Sequence, residues 1–390
     1  MDEKKKYFCI FGGGAVRGFS YIGAYKALLE KNIEISGLAG SSVGAIFSAF
    51  LAVGTTFEEF EKLFLRINFD LFKDINIGLR NNFAISKGTV FLRWLREKLE
   101  KIYYKENYKK NHNPPILFKD LDANLIIVAT DLHTFKPFIF SRETTPDFEV
   151  AEAVRISCGM PGLLKPYELD DCLLSDGDLM KSIPIWKLFK CRDEHNRILE
   201  FRLEGTRTKR EFTSLFDYIN TVYSCMTSYS TDFVIDTYGK NDMYDFVKID
   251  TKDFLLMDFN MSKDKKKELI QIGYDCTINF FEKELCAKEK ILAEIYSSIA
   301  NQVKLAKNLI ECSKISEAKT AIWEIFPNLC ENSSMVDFKI YSEIFRLKNI
   351  FFTNIYKGLF GKEKIKNSKL VKAHITKTLE CLETKLSEFK

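Results

Sequence analysis

Histidine is scarce in this chain. Only four occur in 390 residues, at positions 112, 133, 195 and 374, so chemistry that leans on an imidazole base or a histidine metal site has little to draw on. The ten cysteines stand singly, with no C-x-x-C and no paired spacing. That argues against zinc and against a disulfide framework, and it fits a reducing compartment. No apolar run reaches the roughly 20 residues needed to cross a bilayer. The opening "MDEKKKYFCIFGGG" passes from charge into a strand without room for a signal peptide. The expected location is the cytoplasm, with peripheral membrane association and leaderless secretion both compatible. Charge of one sign is lacking too, since 58 basic and 54 acidic side chains leave a formal net charge of +4. With no basic run interleaved with aromatics, nucleic acid is not an expected partner.

What is present begins with "GLAGSSVGAIF" at residues 37–47. Ser42 alone has a glycine two residues away on both sides, Gly40 and Gly44. This is the G-x-S-x-G spacing of a nucleophile on a strained strand-to-helix turn. "ISGLAG" before it suits a buried strand, and the uncharged "VGAIFSAFLAVG" after it suits a buried helix. The helix N-terminus then presents free N–H groups and the positive dipole end beside Ser42. Ser41 lacks the symmetric glycines and is expected to pack or to support. An ordinary small-residue turn has the same spacing, so a second feature is needed.

That feature is "YFCIFGGGAVRGFSYIGAYKALLE". Residues 7–11 form an apolar run suited to a buried parallel strand. Three glycines follow, then Arg17-Gly18, then a helical segment with Ile22, Tyr25 and Leu29 on one face. A glycine loop between strand and helix is an anion cradle. The dinucleotide fingerprint fails at its third glycine, where Arg17 stands, and the P-loop fails for want of G-K-[ST]. An oxyanion hole asks only for outward N–H groups, which Gly12, Gly13, Gly14 and Ala15 can supply together with Val43. Arg17 either holds the loop or meets an anionic head group.

Further on, "RISCGMPGLLKPYELDDCLLSDGDLMKSIPIW" places Asp176-Gly177-Asp178 after the strand-like Leu173-Leu174-Ser175. Aspartate before glycine is a common turn residue. The ordered set "GGGAVRG", "GSSVG" and "DGD", however, resembles the patatin-like phospholipase family. The segments "VATDLHTFKPFIFS", "AVRISCGMPGLLKPY" and "FVKIDTKDFLLMDFNMSKDKKKELIQIGYDCTINFF" extend the likeness over roughly residues 7–284. The resemblance implies a Ser42–Asp176 dyad, with Ser42 as nucleophile and Asp176 as base, and a glycine-loop oxyanion hole. It implies no metal and no cofactor, and phospholipid or lysophospholipid substrates met at a membrane surface. It also admits activation by a partner or small molecule. The chain departs from the family's usual D-G-G or D-G-A at Asp178, which either raises the basicity of Asp176 or faces solvent. The competing reading from another class is a catalytically weak lipid- or anion-binding regulatory protein on the same fold.

An α/β-hydrolase triad is the rival enzyme, because Ser42, Asp176 and His195 occur in its chain order. Only one strand–helix unit precedes the elbow, however, and His195 sits in the polar "KCRDEHNRI". His133, in "TDLHTF", suits a strand-end cap better than a base.

Strand-like runs at 7–11, 36–40, 124–130, 137–141, 170–175, 198–203 and 245–250 alternate with helical stretches, which predicts a three-layer α/β/α domain with a mostly parallel sheet. The expected organisation is an acyl hydrolase domain over 1–284 and a helical C-terminal region over 285–390, of unassigned role. Residues 56–105 form a mainly helical insertion that serves as a lid or as a plain connection. In 348–366, Phe351, Phe352, Ile355, Tyr356 and Leu359 share a helical face ringed by lysines, suited to a membrane interface or to a bundle.

Overall fold

The computed structural model describes residues 5–67, 84–179, 197–205, 243–312, 314–326, 340–347 and 368–387, with positions 218, 221, 222 and 225. His195, the 348–366 segment and residues 68–83 of the insertion lie outside the described residues. The chain divides into two compact units, Met1–Gly239 with Tyr244–Phe280, and Lys240–Met243 with Phe281–Lys390.

The first unit is α/β. The apolar run at its start becomes β1 (Lys6–Phe11), buried throughout except Lys6. Beside it lie β2 (Glu34–Ser41), β4 (Leu125–Asp131), β5 (Lys136–Ser141), β7 (Tyr167–Leu169), β8 (Cys172–Ser175), β9 (Arg197–Glu204) and β10 (Tyr244–Asp250). Their order is β10-β9-β1-β2-β4-β8-β7, with β5 also on β4. The pairs from β10 through β4 are parallel, and β5 and β8 run antiparallel to β4. The expected mostly parallel sheet is therefore the one found. Two further short strands, β3 (Ala84–Ser86) and β6 (Gly162–Leu164), pair with each other apart from it.

One detail of register positions the site. Strand β5 holds one edge of β4 from Ile126 to Asp131. On the other edge β2 pairs as far as Ser41 opposite Val128, and β8 pairs with Ser175 opposite Thr130. Because β2 and β8 approach along the same edge from opposite ends, the residues after Ser41 and after Ser175 meet head to head.

Helix α1 (Ser20–Glu30) buries Tyr21, Ala24 and Leu28, an i, i+3, i+7 stripe. Of the residues expected to share one face, Ile22 is buried and Leu29 is 51% exposed. Helix α2 (Val43–Ala52) presents Phe47 to Phe11 of β1, with ring centroids 4.7 Å apart, and α3 (Phe57–Leu65) adds Phe60 on the other side of Phe47. A Thr56–Glu59 capping box starts α3. Helices α4 (Thr89–Tyr104), α5 (Val150–Ser157) and α6 (Lys263–Asn279) also belong to this unit.

The second unit is helical in its described residues: α7 (Leu285–Glu311), α8 (Ile315–Trp323), residues 340–347 and α9 (Ser368–Ser387). Ile299, Val303, Ala306 and Ile310 of α7 pack with Ile322, Ile344 and Leu379 into one apolar core. Among the described residues no helix is long and apolar enough to cross a membrane.

Candidate active site

Ser42 stands between β2 and α2 with φ 51° and ψ −124°. A side chain held in such a region costs about 1–3 kcal/mol, so the surroundings must over-determine it. They do so from several directions. The Ser42 N–H donates to Ser157 Oγ at 3.0 Å, and Ser157 Oγ donates in turn to the Val128 carbonyl at 2.6 Å. The Ser42 carbonyl accepts from Ala45 and Ile46 of α2 and from the Cys158 thiol at 3.2 Å. Gly44 lets this turn press on β1, since a Cβ there would fall 1.9 Å from the Phe11 carbonyl oxygen.

Asp176 follows β8 and is 1% exposed. Its N–H donates to the Gly159 carbonyl and that of Gly177 to the Ser157 carbonyl, both at 3.0 Å. The turn after α5 thus supports nucleophile and acid together. The Ser42 hydroxyl donates to Asp176 Oδ2 at 2.9 Å, and the Asp178 N–H donates to Asp176 Oδ1 at 2.8 Å. One carboxylate oxygen faces the hydroxyl and the other is anchored. That is the geometry of a serine whose proton can pass directly to a carboxylate.

The glycine loop departs from expectation in two places. The Gly12 N–H donates to the Phe201 carbonyl at 3.2 Å, and the Gly12 carbonyl accepts from the Tyr21 hydroxyl at 2.8 Å. The Gly13 N–H donates to Asp178 Oδ1 at 3.0 Å. Both N–H groups are committed to holding the loop and do not serve as free donors. Among the described residues the N–H groups of Gly14, Ala15 and Val43 have no protein acceptor. Ala15 and Val43 line the same cavity as Ser42. Asp178 does not face solvent: it is 2% exposed and turned onto the loop and Ser41. Gly18 packs under Val43, and the Arg17 guanidinium lies against the Gly205 backbone, with Nη1 2.5 Å from where a Cβ would be.

The cavity measures about 180 Å3 and is apolar, with Phe19, Ile46, Phe64, Trp94, Met160 and Leu164 among its walls. Phe64 and Trp94 come from the 56–105 insertion, whose described parts form a wall of the cavity. Cys158 also faces it, and burial followed by the charge of Asp176 pushes its thiol well above the ordinary value, so it stays a neutral donor.

In the first unit neither described histidine lines the Ser42 cavity. His133 Nδ1 lies 3.0 Å from the Asp171 carbonyl, further along the antiparallel β4–β8 pair from Ser175, and His112 is exposed beside the Lys110 carbonyl. Sequence reasoning overlooked Ser157, Tyr21, Glu200 and Arg202. On β9 the alternating charges suggest a wet face, yet Glu200 and Arg202 are 0% and 3% exposed and paired to each other. The one available signal was that β9 is flanked by parallel strands, which are buried on both faces.

Residues 9–189 match the family model described as patatin-like phospholipase. Protein YqhO of Bacillus subtilis (strain 168) is 25% identical over 290 residues, 68% of this chain and 94% of that protein. The probable lipid hydrolase 463L of Invertebrate iridescent virus 6 is 29% identical over 209 residues, 50% of this chain and 68% of that protein. Among solved structures, VipD from Legionella pneumophila aligns with a TM-score of 0.49 at 15% identity, covering 98% of this chain and 88% of that one.

Proposed function

Through residues 9–189 the chain belongs to the patatin-like phospholipase family, and on that premise we propose that it is a serine acyl hydrolase cleaving carboxylic esters of phospholipids or lysophospholipids. The observation that carries the reading is the direct 2.9 Å hydrogen bond from the strained Ser42 hydroxyl to Asp176. In a Ser-His-Asp triad the imidazole stands between these groups. Here they touch, which leaves no place for one.

Ser42 Oγ attacks the ester carbonyl carbon as its proton passes to Asp176 Oδ2. The C=O π pair moves onto oxygen, and the resulting oxyanion is met by the N–H groups of Gly14, Ala15 and Val43. One such donor is worth about 3 kcal/mol of barrier. Collapse breaks the bond to the alcohol, which takes the proton back from Asp176 and leaves an acyl-Ser42 ester. Water then attacks that ester with Asp176 again as base, releasing the fatty acid and restoring the hydroxyl. The apolar cavity suits the acyl chain nearest the carbonyl, since such walls favour alkyl groups at about 25 cal/mol per Å2 buried. A lipid surface is the working partner that such substrates imply.

Vesicles of phosphatidylcholine and micelles of lysophosphatidylcholine, incubated with wild type and Ser42→Ala, test this by mass spectrometry of released fatty acid. Release by wild type alone is expected. Equal release by both proteins would overturn the proposal.

A further inference from the structure

We propose that Asp178 is a positioning residue that sets the glycine loop against the reacting pair, an inference that rests on the acyl-hydrolase reading. This residue reaches three parts of the site. Its Oδ1 accepts from the Gly13 N–H at 3.0 Å and from the Ser41 hydroxyl at 3.1 Å, while its own N–H donates to Asp176 Oδ1 at 2.8 Å. Gly13 leads into the oxyanion donors, Ser41 precedes the nucleophile, and Asp176 is the base. The fit is close: a Cβ on Gly13 would fall 2.5 Å from Asp178 Cγ.

A buried carboxylate needs a compensating charge. Strand β9 supplies it through Arg202, whose guanidinium lies under the loop, 3.4 Å from where a Cβ of Gly12 would be. Burial opposes the Arg202 charge, and Glu200, Tyr244 and Asp178 outweigh it. Glu200 in turn pairs with Arg202 and accepts from the Tyr244 hydroxyl.

The consequence for catalysis is geometric. With the Gly13 N–H fixed, only the two backbone dihedrals of Gly13 separate that anchor from the Gly14 N–H. Glycine dihedrals are soft, so without the tie the loop samples orientations that miss the oxyanion. That contact exists only as the reaction proceeds, so its loss falls on kcat and leaves KM nearly unchanged.

The experiment measures kcat and KM for p-nitrophenyl butyrate with wild type, Asp178→Ala, Asp178→Asn, Asp178→Leu and Asp176→Asn, each checked for folding by circular dichroism. Asn keeps an acceptor oxygen for Gly13 and Ser41. Leu keeps the volume without one and carries the test if the Ala variant does not fold. Removing the acceptor is expected to lower kcat by about 100-fold with KM within about twofold, as for a lost or misplaced donor. Asn is expected to recover most of that loss. Wild-type kcat in folded Asp178→Ala or Asp178→Leu, alongside an inactive Asp176→Asn, overturns this inference and leaves the dyad standing. So does an Asn variant as depressed as Ala, with KM raised in parallel. A folded wild type that neither hydrolyses the ester nor is labelled at Ser42 by a fluorophosphonate overturns the acyl-hydrolase reading itself.

Discussion

Replacing Gly44 by alanine separates the elbow's geometry from its stability. A Cβ at position 44 would lie 1.9 Å from the Phe11 carbonyl oxygen and 2.7 Å from that of Gly12. Both are backbone atoms where β1 runs into the glycine loop, so neither can swing aside as a side chain would. Restoring even a tight 3.0 Å contact requires the start of α2 and the end of β1 to part by about 1.1 Å. Overpacking of this kind costs about 1–3 kcal/mol. It also moves Ser42 and Val43 on one side relative to Gly14 and Ala15 on the other, and a misplacement near 1 Å costs about 100-fold in rate. Gly54, just past α2, is the matched control. Its φ is +85° with nothing within 4 Å of where a Cβ would be, so alanine there costs about 1–2 kcal/mol of left-handed strain and leaves the elbow untouched. Thermal melts should fall by a few degrees in both variants, whereas acylation by a fluorophosphonate should slow about 100-fold only in Gly44→Ala. Wild-type acylation in Gly44→Ala, or equal slowing in the two variants, would show that the packing of Gly44 on β1 does not set the reactivity of Ser42.

Four further outcomes are expected. Tyr21→Phe removes the hydroxyl that holds the Gly12 carbonyl and should cost about 1 kcal/mol in urea unfolding, with kcat falling more than KM changes. His195→Ala should leave ester hydrolysis within about twofold, since an essential general base contributes about 100-fold or more; a loss of that size would restore the triad. Leu164→Trp, at the cavity wall, should depress hydrolysis of p-nitrophenyl laurate far more than that of the acetate, and equal effects would dissociate the cavity from the acyl chain. Burial and the Asp176 charge push the Cys158 thiol well up. Its thiolate, which reacts only above that raised value, is therefore nearly absent at pH 8, and mass spectrometry should find exposed Cys312 alkylated by iodoacetamide well before Cys158.

The sheet was legible because its long strands are apolar runs bounded by charge or turns. β1, β2, β4 and β5 lie within about two residues of their sequence limits. β3, β6 and β7 were missed, each being three residues long; β3 and β6 also pair across distant chain, whereas β7 is the first arm of a tight hairpin with β8. No local period can show at that length. Ser42 and Asp176 stood out because their glycines mark sharp turns. Their meeting was not legible, because it depends on β2 and β8 sharing one edge of β4. Of the two readings open for Asp178, exposure to solvent is the one the burial removes, for a related reason. The sequence places it in a turn, and only the proximity of β1 and β9 turns its carboxylate onto Gly13 and toward Arg202. The same proximity takes the Gly12 and Gly13 N–H groups out of the expected oxyanion set.

The most direct measurement of the central claim is the site of covalent labelling by a fluorophosphonate, mapped by tandem mass spectrometry in wild type, Ser42→Ala and Asp176→Asn. One adduct is expected, on Ser42, absent from Ser42→Ala and slowed at least about 100-fold in Asp176→Asn. An adduct on another serine, or a Ser42 adduct forming at the wild-type rate without the Asp176 carboxylate, would contradict the dyad.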